Sequence, residues 1–184
     1  MKRKRSWLGT LWSRLLCIVT ATGFAAGVCS AQDATAQREA QLKAAYVFNF
    51  IKFVNWDSGA LTNTLDICFD GADDVREALA EATADKTVGT RKVAVHAVGP
   101  DSRQRCSVLF VASARPMATR WTSESALTIG DAPGFTQKGG IIRLYTESNR
   151  LRFIVNVGNA RRAGVQISSN LLKLATQIEQ EATL

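Results

Sequence analysis

Hydrophobic positions recur along this chain in two rhythms, and the first is helical. At about 100° per residue, Leu42, Tyr46, Val47, Phe50, Ile51, Phe53 and Val54 fall on one broad side of a helix, with Gln41, Asn49, Lys52 and Asn55 opposite. The pattern predicts a helix over 38–55 laid on a core, preceded by a frayed polar start at 32–37. Two residues break it. Phe48 projects on the polar side and Trp56 stands where the helix should stop, so Phe48, Lys52 and Trp56 are the candidate partner-binding residues.

Downstream the rhythm shortens. Six apolar or alternating runs read as strands: 65–69, 92–98, 107–112, 127–131, 141–147 and 151–157. Ser148-Asn149 between the last two is a hairpin turn. Asp73 is placed to cap an amphipathic helix running to Glu81, because its carboxylate can accept from free first-turn amides. Residues 159–163 are expected to form a short helix ending at Gly164. Ser168 or Ser169 then starts a last helix, with Leu171, Leu172, Leu174, Ala175 and Ile178 as its buried stripe. This order defines a single α/β domain: a mixed sheet of about six strands, helices on its faces and an antiparallel edge.

The N-terminus changes the composition argument. Residues 1–31 combine a basic lead, an apolar run over 15–27 and a small-residue stretch at Cys29-Ser30-Ala31, the layout of a cleaved secretory signal peptide. Val28 before Cys29 is a poor match to a lipobox. The expected exported domain is 32–184. The leader holds Lys2, Arg3, Lys4, Arg5 and Arg14 and no acid, which leaves 18 of the 23 basic residues against 16 acidic ones, a net charge of about +2 rather than +7. No basic stripe interleaved with aromatics remains, which argues against nucleic acid. Cys68 and Cys106 are then the two cysteines of an exported chain, beside neighbouring strand-like runs. They read as a disulfide without a redox role, with two buried free thiols as the alternative.

Catalytic chemistry finds little support. The single histidine, His96, sits mid-strand, sharing a face with Ala94 and Val98, as a satisfied sheet histidine does. There is no nucleophile elbow, zinc-protease helix or dinucleotide loop motif, and no cofactor or metal is expected. Asp73 and Asp74 read as helix-start residues. Asp131 ends an apolar strand before the glycine-bounded loop 132–140, a place where α/β sheets line ligand crevices; a turn-forming aspartate is the plainer reading. Arg161, Arg162 and Ser169 offer guanidinium groups beside helix-start amides, as an anion site does. Structural salt bridges with capping serines explain the same pattern equally well.

Several segments together resemble the YfiR family of small periplasmic proteins of Gram-negative bacteria: KAAYVFNFIKFVNW at 43–56, ICFDG at 67–71, KTVGTR at 86–91, CSVLFV at 106–111, LTIGDAPGFTQKGGIIRLY at 127–145 and RLRFIVNVGNARRAGVQISSNLLKLA at 150–175. The likeness runs collinearly from about Arg38 to Ala175. It implies an α/β fold, possible dimerisation, a supporting disulfide at positions like Cys68 and Cys106, and regulation rather than catalysis. It further implies repression of an inner-membrane diguanylate cyclase through the cyclase's periplasmic domain, limiting cyclic-di-GMP signalling and biofilm formation, with an outer-membrane lipoprotein relieving the repression. Two positions depart from the family pattern: Asp57 follows Trp56 where proline is common, and Ile154 stands where an acid is frequent. A homodimer without nucleic acid is the expected state. The competing expectation is a periplasmic small-molecule binding module acting on a sensor histidine kinase, with Asp131, Arg161 and Ser169 around one pocket.

Overall fold

The computed structural model describes residues 27–55, 63–98, 106–113 and 126–180, with side chains from residue 32 onward. The expected signal segment falls mostly outside these residues, as do Trp56 and Asp57. The chain divides into compact units at Met1–Gln37 and Arg38–Leu184. The first is described only where helix α1 (Gly27–Lys52) begins; residues 32–37 are helical and exposed, where a frayed start was expected.

In the second unit α1 ends at Lys52, three residues before the expected stop. The Phe53 amide donates to the Phe50 carbonyl at 3.0 Å, tightening the last turn. Val54–Asn55 then leaves as a short strand, β1, which pairs antiparallel with β9 (Gln166–Ile167) in a two-stranded sheet. The partner strand wins over helix continuation because β-branched Val54 suits the pleated pairing better than another helical turn.

The main sheet has eight strands: β2 (Thr64–Asp70), β3 (Thr87–Val88), β4 (Arg91–Ala97), β5 (Val108–Val111), β6 (Leu127–Gly130), β7 (Ile142–Glu147), β8 (Arg150–Asn156) and β10 (Gln177–Glu179). Their order is β10-β8-β7-β6-β5-β2-β4-β3. Neighbours from β4 through β2, β5 and β6 to β7 run parallel, while β7–β8 and β3–β4 are antiparallel. The mixed α/β sheet expected from the chain is present, and all six anticipated strands lie in it. The two extra strands are the edges, too short to show a rhythm.

One face of the sheet carries the core. Leu65, Ile67 and Phe69 of β2, Val108 and Phe110 of β5, Leu127 and Ile129 of β6, Ile142 and Leu144 of β7, and Leu151, Phe153 and Val155 of β8 join Ala44, Val47, Phe50 and Ile51 of α1 in a single cluster. Helix α2 (Asp73–Thr83) adds Val75 and Leu79 to the same cluster. Each such side chain contributes roughly 1.5–3 kcal/mol of burial. Phe50 packs on Phe153 with ring centroids 4.9 Å apart, and the Tyr46 hydroxyl donates to the Leu151 carbonyl at 3.1 Å. The aromatic helix therefore lies over β8, with Phe50 buried and Tyr46 and Phe53 half-buried. Leu42, assigned to the core stripe by periodicity, is exposed.

The opposite face holds a smaller cluster of Cys68, Cys106, Leu109, Val111 and Phe135. Cys68 and Cys106 form a disulfide with Cα atoms 5.7 Å apart, tying β2 to the approach of its parallel neighbour β5. Phe135 comes from loop 132–140. Its ring fills the space where side chains at Gly130 and Gly140 would stand, 2.5 and 2.1 Å from the Cβ positions those residues lack. The hairpin turn has positive φ at Ser148 (49°) and Asn149 (58°), the two-residue geometry that matches strand twist.

Two helix expectations need correction. Asp73 does not cap α2. The capping position is Ala72, left-handed at φ 54° after Gly71 at φ 80°, without a side-chain cap. The Asp73 carboxylate instead accepts from Arg76 Nε at 3.1 Å, because the backbone turn places it inside the helix as its first residue. The expected last helix shrinks to one turn, α4 (Ser169–Leu172), and the chain then enters β10 alongside β8. Ser168 is its cap, accepting from the Leu171 amide at 3.4 Å, while Leu174 and Ile178 are exposed. The Thr176 amide donates to the Phe153 carbonyl at 2.9 Å, so pairing with the open edge of β8 displaces helix continuation.

Candidate functional site

β8 delivers the chain directly into α3 (Val157–Arg162), and the junction is a buried polar knot. Asn156 caps α3, its Oδ1 accepting from the Asn159 amide at 2.9 Å. Asn159 Nδ2 donates to the carbonyls of Thr136 (2.8 Å) and Gly140 (2.6 Å), while its Oδ1 accepts from Arg162. Asn156 Nδ2 reaches the Thr136 carbonyl and Glu179, both near hydrogen-bonding limits at 3.5 and 3.3 Å. Both asparagines are buried, and between them they fix loop 132–140 and the β10 end of the tail against α3. Gly158 lies beneath the tail: a Cβ there would stand 2.1 Å from the Gln180 carbonyl oxygen.

With α3 anchored, its outer side forms a groove with β9 and α4. The groove has a volume of about 500 Å³ and is lined by Val157, Ala160, Arg161, Gly164, Val165, Gln166, Ile167 and Leu172. Gly164, at φ +67°, ends α3 and turns the chain toward β9. The end of α1 is stitched alongside. Val54 pairs with Ile167 and Asn55 with Gln166, Asn55 Nδ2 donates to Gln166 Oε1 at 3.3 Å, and the Ser168 amide donates to the Phe53 carbonyl at 2.9 Å. The walls are mostly aliphatic, and Arg161 is the one fixed charge among the lining residues. Such a surface can bind by apolar contact and guanidinium pairing; no nucleophile–base pair lines it.

The candidate residues separate into two places. Arg161 is exposed on the groove, Ser169 is exposed at the first position of α4, and Arg162 turns to Asn159. Lys52 stands at the end of α1 with its ammonium 4.1 Å from the centre of the Phe48 ring, and Phe48 is half-buried against the core margin. Cation contact and partial packing explain how a phenylalanine sits on the polar side of that helix. Asp131 lies elsewhere, at the end of β6. Its Oδ2 pairs with Lys43 Nζ at 3.0 Å and its Oδ1 accepts from the Ser113 amide at 2.6 Å; neither Arg161, Arg162 nor Ser169 is among its partners in the described residues.

Lys43 also pairs with Glu39 at 3.1 Å. Burial pulls the Lys43 ammonium down, but the Asp131 and Glu39 carboxylates outweigh it and hold the pKa above 10.5. His96 is exposed on the outer face of β4 and contacts Asp66 Oδ1 at 3.0 Å, a cross-strand polar pair. Among the described residues no group of three His, Cys, Asp or Glu side chains is placed to hold a metal, and no helix is long and apolar enough to cross a membrane.

Sequence reasoning passed over Asn156 and Asn159, which hold the groove's main helix in place. Their trace in the sequence is a pair of amides flanking Val157-Gly158 directly after an apolar strand, where a helix cap is needed.

An apolar groove walled by α3, β9 and α4 and carrying one exposed arginine offers this α/β domain a surface for binding. The family model for YfiR/HmsC-like proteins matches residues 40–176, and the chain belongs to that family. The family is regulatory, and membership supports a periplasmic regulator in the cyclic-di-GMP pathway. The comparison with curated proteins returns no match. Among solved structures, a conserved domain protein of Vibrio cholerae O1 biovar El Tor is similar at 12% identity and a TM-score of 0.50, covering 76% of this chain and 60% of that one. The ABC domain from Streptococcus pneumonia in complex with L-Trp is similar at 13% identity and a TM-score of 0.46, with the same coverage. The chain thus spans less than two thirds of either protein; the first likeness bears on the fold alone and the second carries no argument.

Proposed function

We propose that this protein represses an inner-membrane diguanylate cyclase by contact with the cyclase's periplasmic portion. Residues 1–31 act as a cleaved signal peptide and 32–184 as the exported domain, working as a homodimer. The contact centres on the groove walled by α3, β9 and α4, with Arg161 on it, Ser169 at the start of α4, and Phe48 and Lys52 alongside at the end of α1; Trp56, outside the described residues, is a further contact candidate from the sequence alone. An outer-membrane lipoprotein competes for the protein and relieves repression. The observation that carries this reading is the groove itself: aliphatic walls open to solvent beside an exposed arginine, the composition of an interface core with a polar rim.

Arg161→Glu tests the proposal. Arg161 is exposed, and the substitution reverses the rim charge without touching the core. Cells carrying the variant should show raised cyclic-di-GMP and weakened capture of the cyclase's periplasmic domain. Unchanged cyclic-di-GMP on deletion of the whole protein would sink the reading.

A second reading rests on the groove's size. About 500 Å³ falls within the usual range of small-molecule pockets, and Arg161 suits a carboxylate, so the groove would serve a ligand sensor acting on a histidine kinase. A ligand that binds the native state raises the melting temperature with concentration. A flat response across organic acids, amino acids and nucleotides removes this reading and leaves the first.

A further inference from the structure

The outer face of the β7–β8 hairpin carries a charge pattern that the groove does not use. Register puts Arg143 opposite Ile154, Tyr145 opposite Arg152 and Glu147 opposite Arg150, all six on the face turned away from the main core. Three guanidinium groups thus share a small area with one carboxylate. Glu147 approaches Arg152 Nε at 2.9 Å, without the alignment of a hydrogen bond. The Arg143 guanidinium lies 5.1 Å from the centre of the Tyr145 ring, and its Nε has no hydrogen-bond acceptor. Arg150 is exposed and, among the described residues, has no ion-pair partner. The other nearby acid, Glu179 on β10, is taken up by Gln137 and Asn156.

Like charges brought this close on one sheet face oppose folding, and nothing in the core requires them. We infer that this hairpin face is a docking surface for an acidic, extended segment of a partner protein, separate from the groove and independent of the groove's reading. Spacing supports an extended occupant. Arg150 and Arg152 are two residues apart on β8, about 6.7 Å along the strand, which matches carboxylates at alternate positions of a second extended chain. An arginine fork takes a carboxylate through both of its oxygens, and half-buried Tyr145 offers apolar ground between the arginines. Arg143 gives up no hydrogen bond at Nε in turning to an incoming carboxylate.

The test uses the full exported protein and a dye-labelled hexapeptide alternating glutamate with valine, with glutamine–valine and lysine–valine versions as controls. Fluorescence anisotropy should show binding of the glutamate peptide only, weakening as salt rises. Arg143→Gln together with Arg150→Gln should cut that binding by about tenfold or more without lowering the melting temperature, whereas Arg161→Gln should leave it intact. Arg143→Lys with Arg150→Lys keeps the charge but loses the fork, and should recover only part of the binding. Equal binding of the glutamine peptide, or an unaltered affinity in the double glutamine variant, overturns the inference. Anionic phosphatidylglycerol vesicles that bind with the same arginine dependence and compete with the peptide would also overturn it, assigning the face to a membrane surface.

Discussion

Replacing Asn159 by alanine tests how the groove is held. Its side-chain amide donates to two main-chain carbonyls, Thr136 at 2.8 Å and Gly140 at 2.6 Å, and its oxygen accepts from Arg162. Alanine leaves the buried Gly140 carbonyl without its side-chain donor and the Thr136 carbonyl with only longer contacts, from Asn156 Nδ2 at 3.5 Å and the Gly139 amide at 3.4 Å, at roughly 1–3 kcal/mol for each bond lost. Asn159 is 3% exposed, so water does not easily replace the amide. The expected loss is about 2–5 kcal/mol. At about 2–4 °C per kcal/mol for a domain of this size, the melting temperature should fall by about 4–20 °C in a calorimetric scan. The comparison is Arg162→Ala, which keeps both loop carbonyls paired and removes only the donor to Asn159 Oδ1; it should cost roughly 1–3 kcal/mol, less than Asn159→Ala. Loop 132–140 should also exchange its amide hydrogens faster in Asn159→Ala. A loss below about 0.5 kcal/mol, or equal losses in the two variants, would refute the claim that Asn159 clamps the loop to α3.

Other consequences follow from the packing around the sheet. Gly140→Ala sets a methyl into the Phe135 ring and should cost about 1–3 kcal/mol by overpacking; Phe135→Leu in the same chain should recover part of it in urea melts. Cys68→Ser with Cys106→Ser opens a loop whose ends lie 38 residues apart, so stability should fall by about 4 kcal/mol in the chain-entropy model, and reductant should destabilise the native protein but not the variant. For Lys43 the sign is fixed by its raised pKa. The stabilisation from its carboxylate partners is complete below pH 10.5 and lost as pH rises through the higher folded value. The melting-temperature gap between native protein and Lys43→Met should therefore be constant at neutral pH and shrink above pH 10.5; a gap that widens there contradicts the assignment.

How far the sequence disclosed this protein depends on which residues carried a repeating signal. The six longer strands are legible as apolar or alternating runs, the turn by its Ser148-Asn149 pair, and the first helix by the buried stripe through Val47, Phe50 and Ile51. β3 and β10 have two and three residues, shorter than any rhythm, and pair only because β4 and β8 present open edges. The run from Leu171 to Ile178 has helical spacing, yet one turn of helix earns little alone and the β8 edge offers a full ladder. Asp73 has the chemistry of a cap, but the left-handed pair Gly71-Ala72 sets the helix start one residue too early for it. Of the site residues, Arg161 and the end of α1 were visible as chemistry, and their proximity was not, because the two-residue pairing of β1 with β9 creates it. Asn156, Asn159 and Phe135 act through long-range contacts that no local pattern marks.

The central claim is that the groove beside Arg161 binds the periplasmic portion of a diguanylate cyclase. Calorimetric titration of that portion with the protein purified from the periplasmic fraction, native and Arg161→Glu, measures it directly. The account predicts a saturable complex with the native protein and about tenfold or weaker affinity for the variant at an unchanged melting temperature. Equal affinity of the two proteins, or no complex with either, would contradict it.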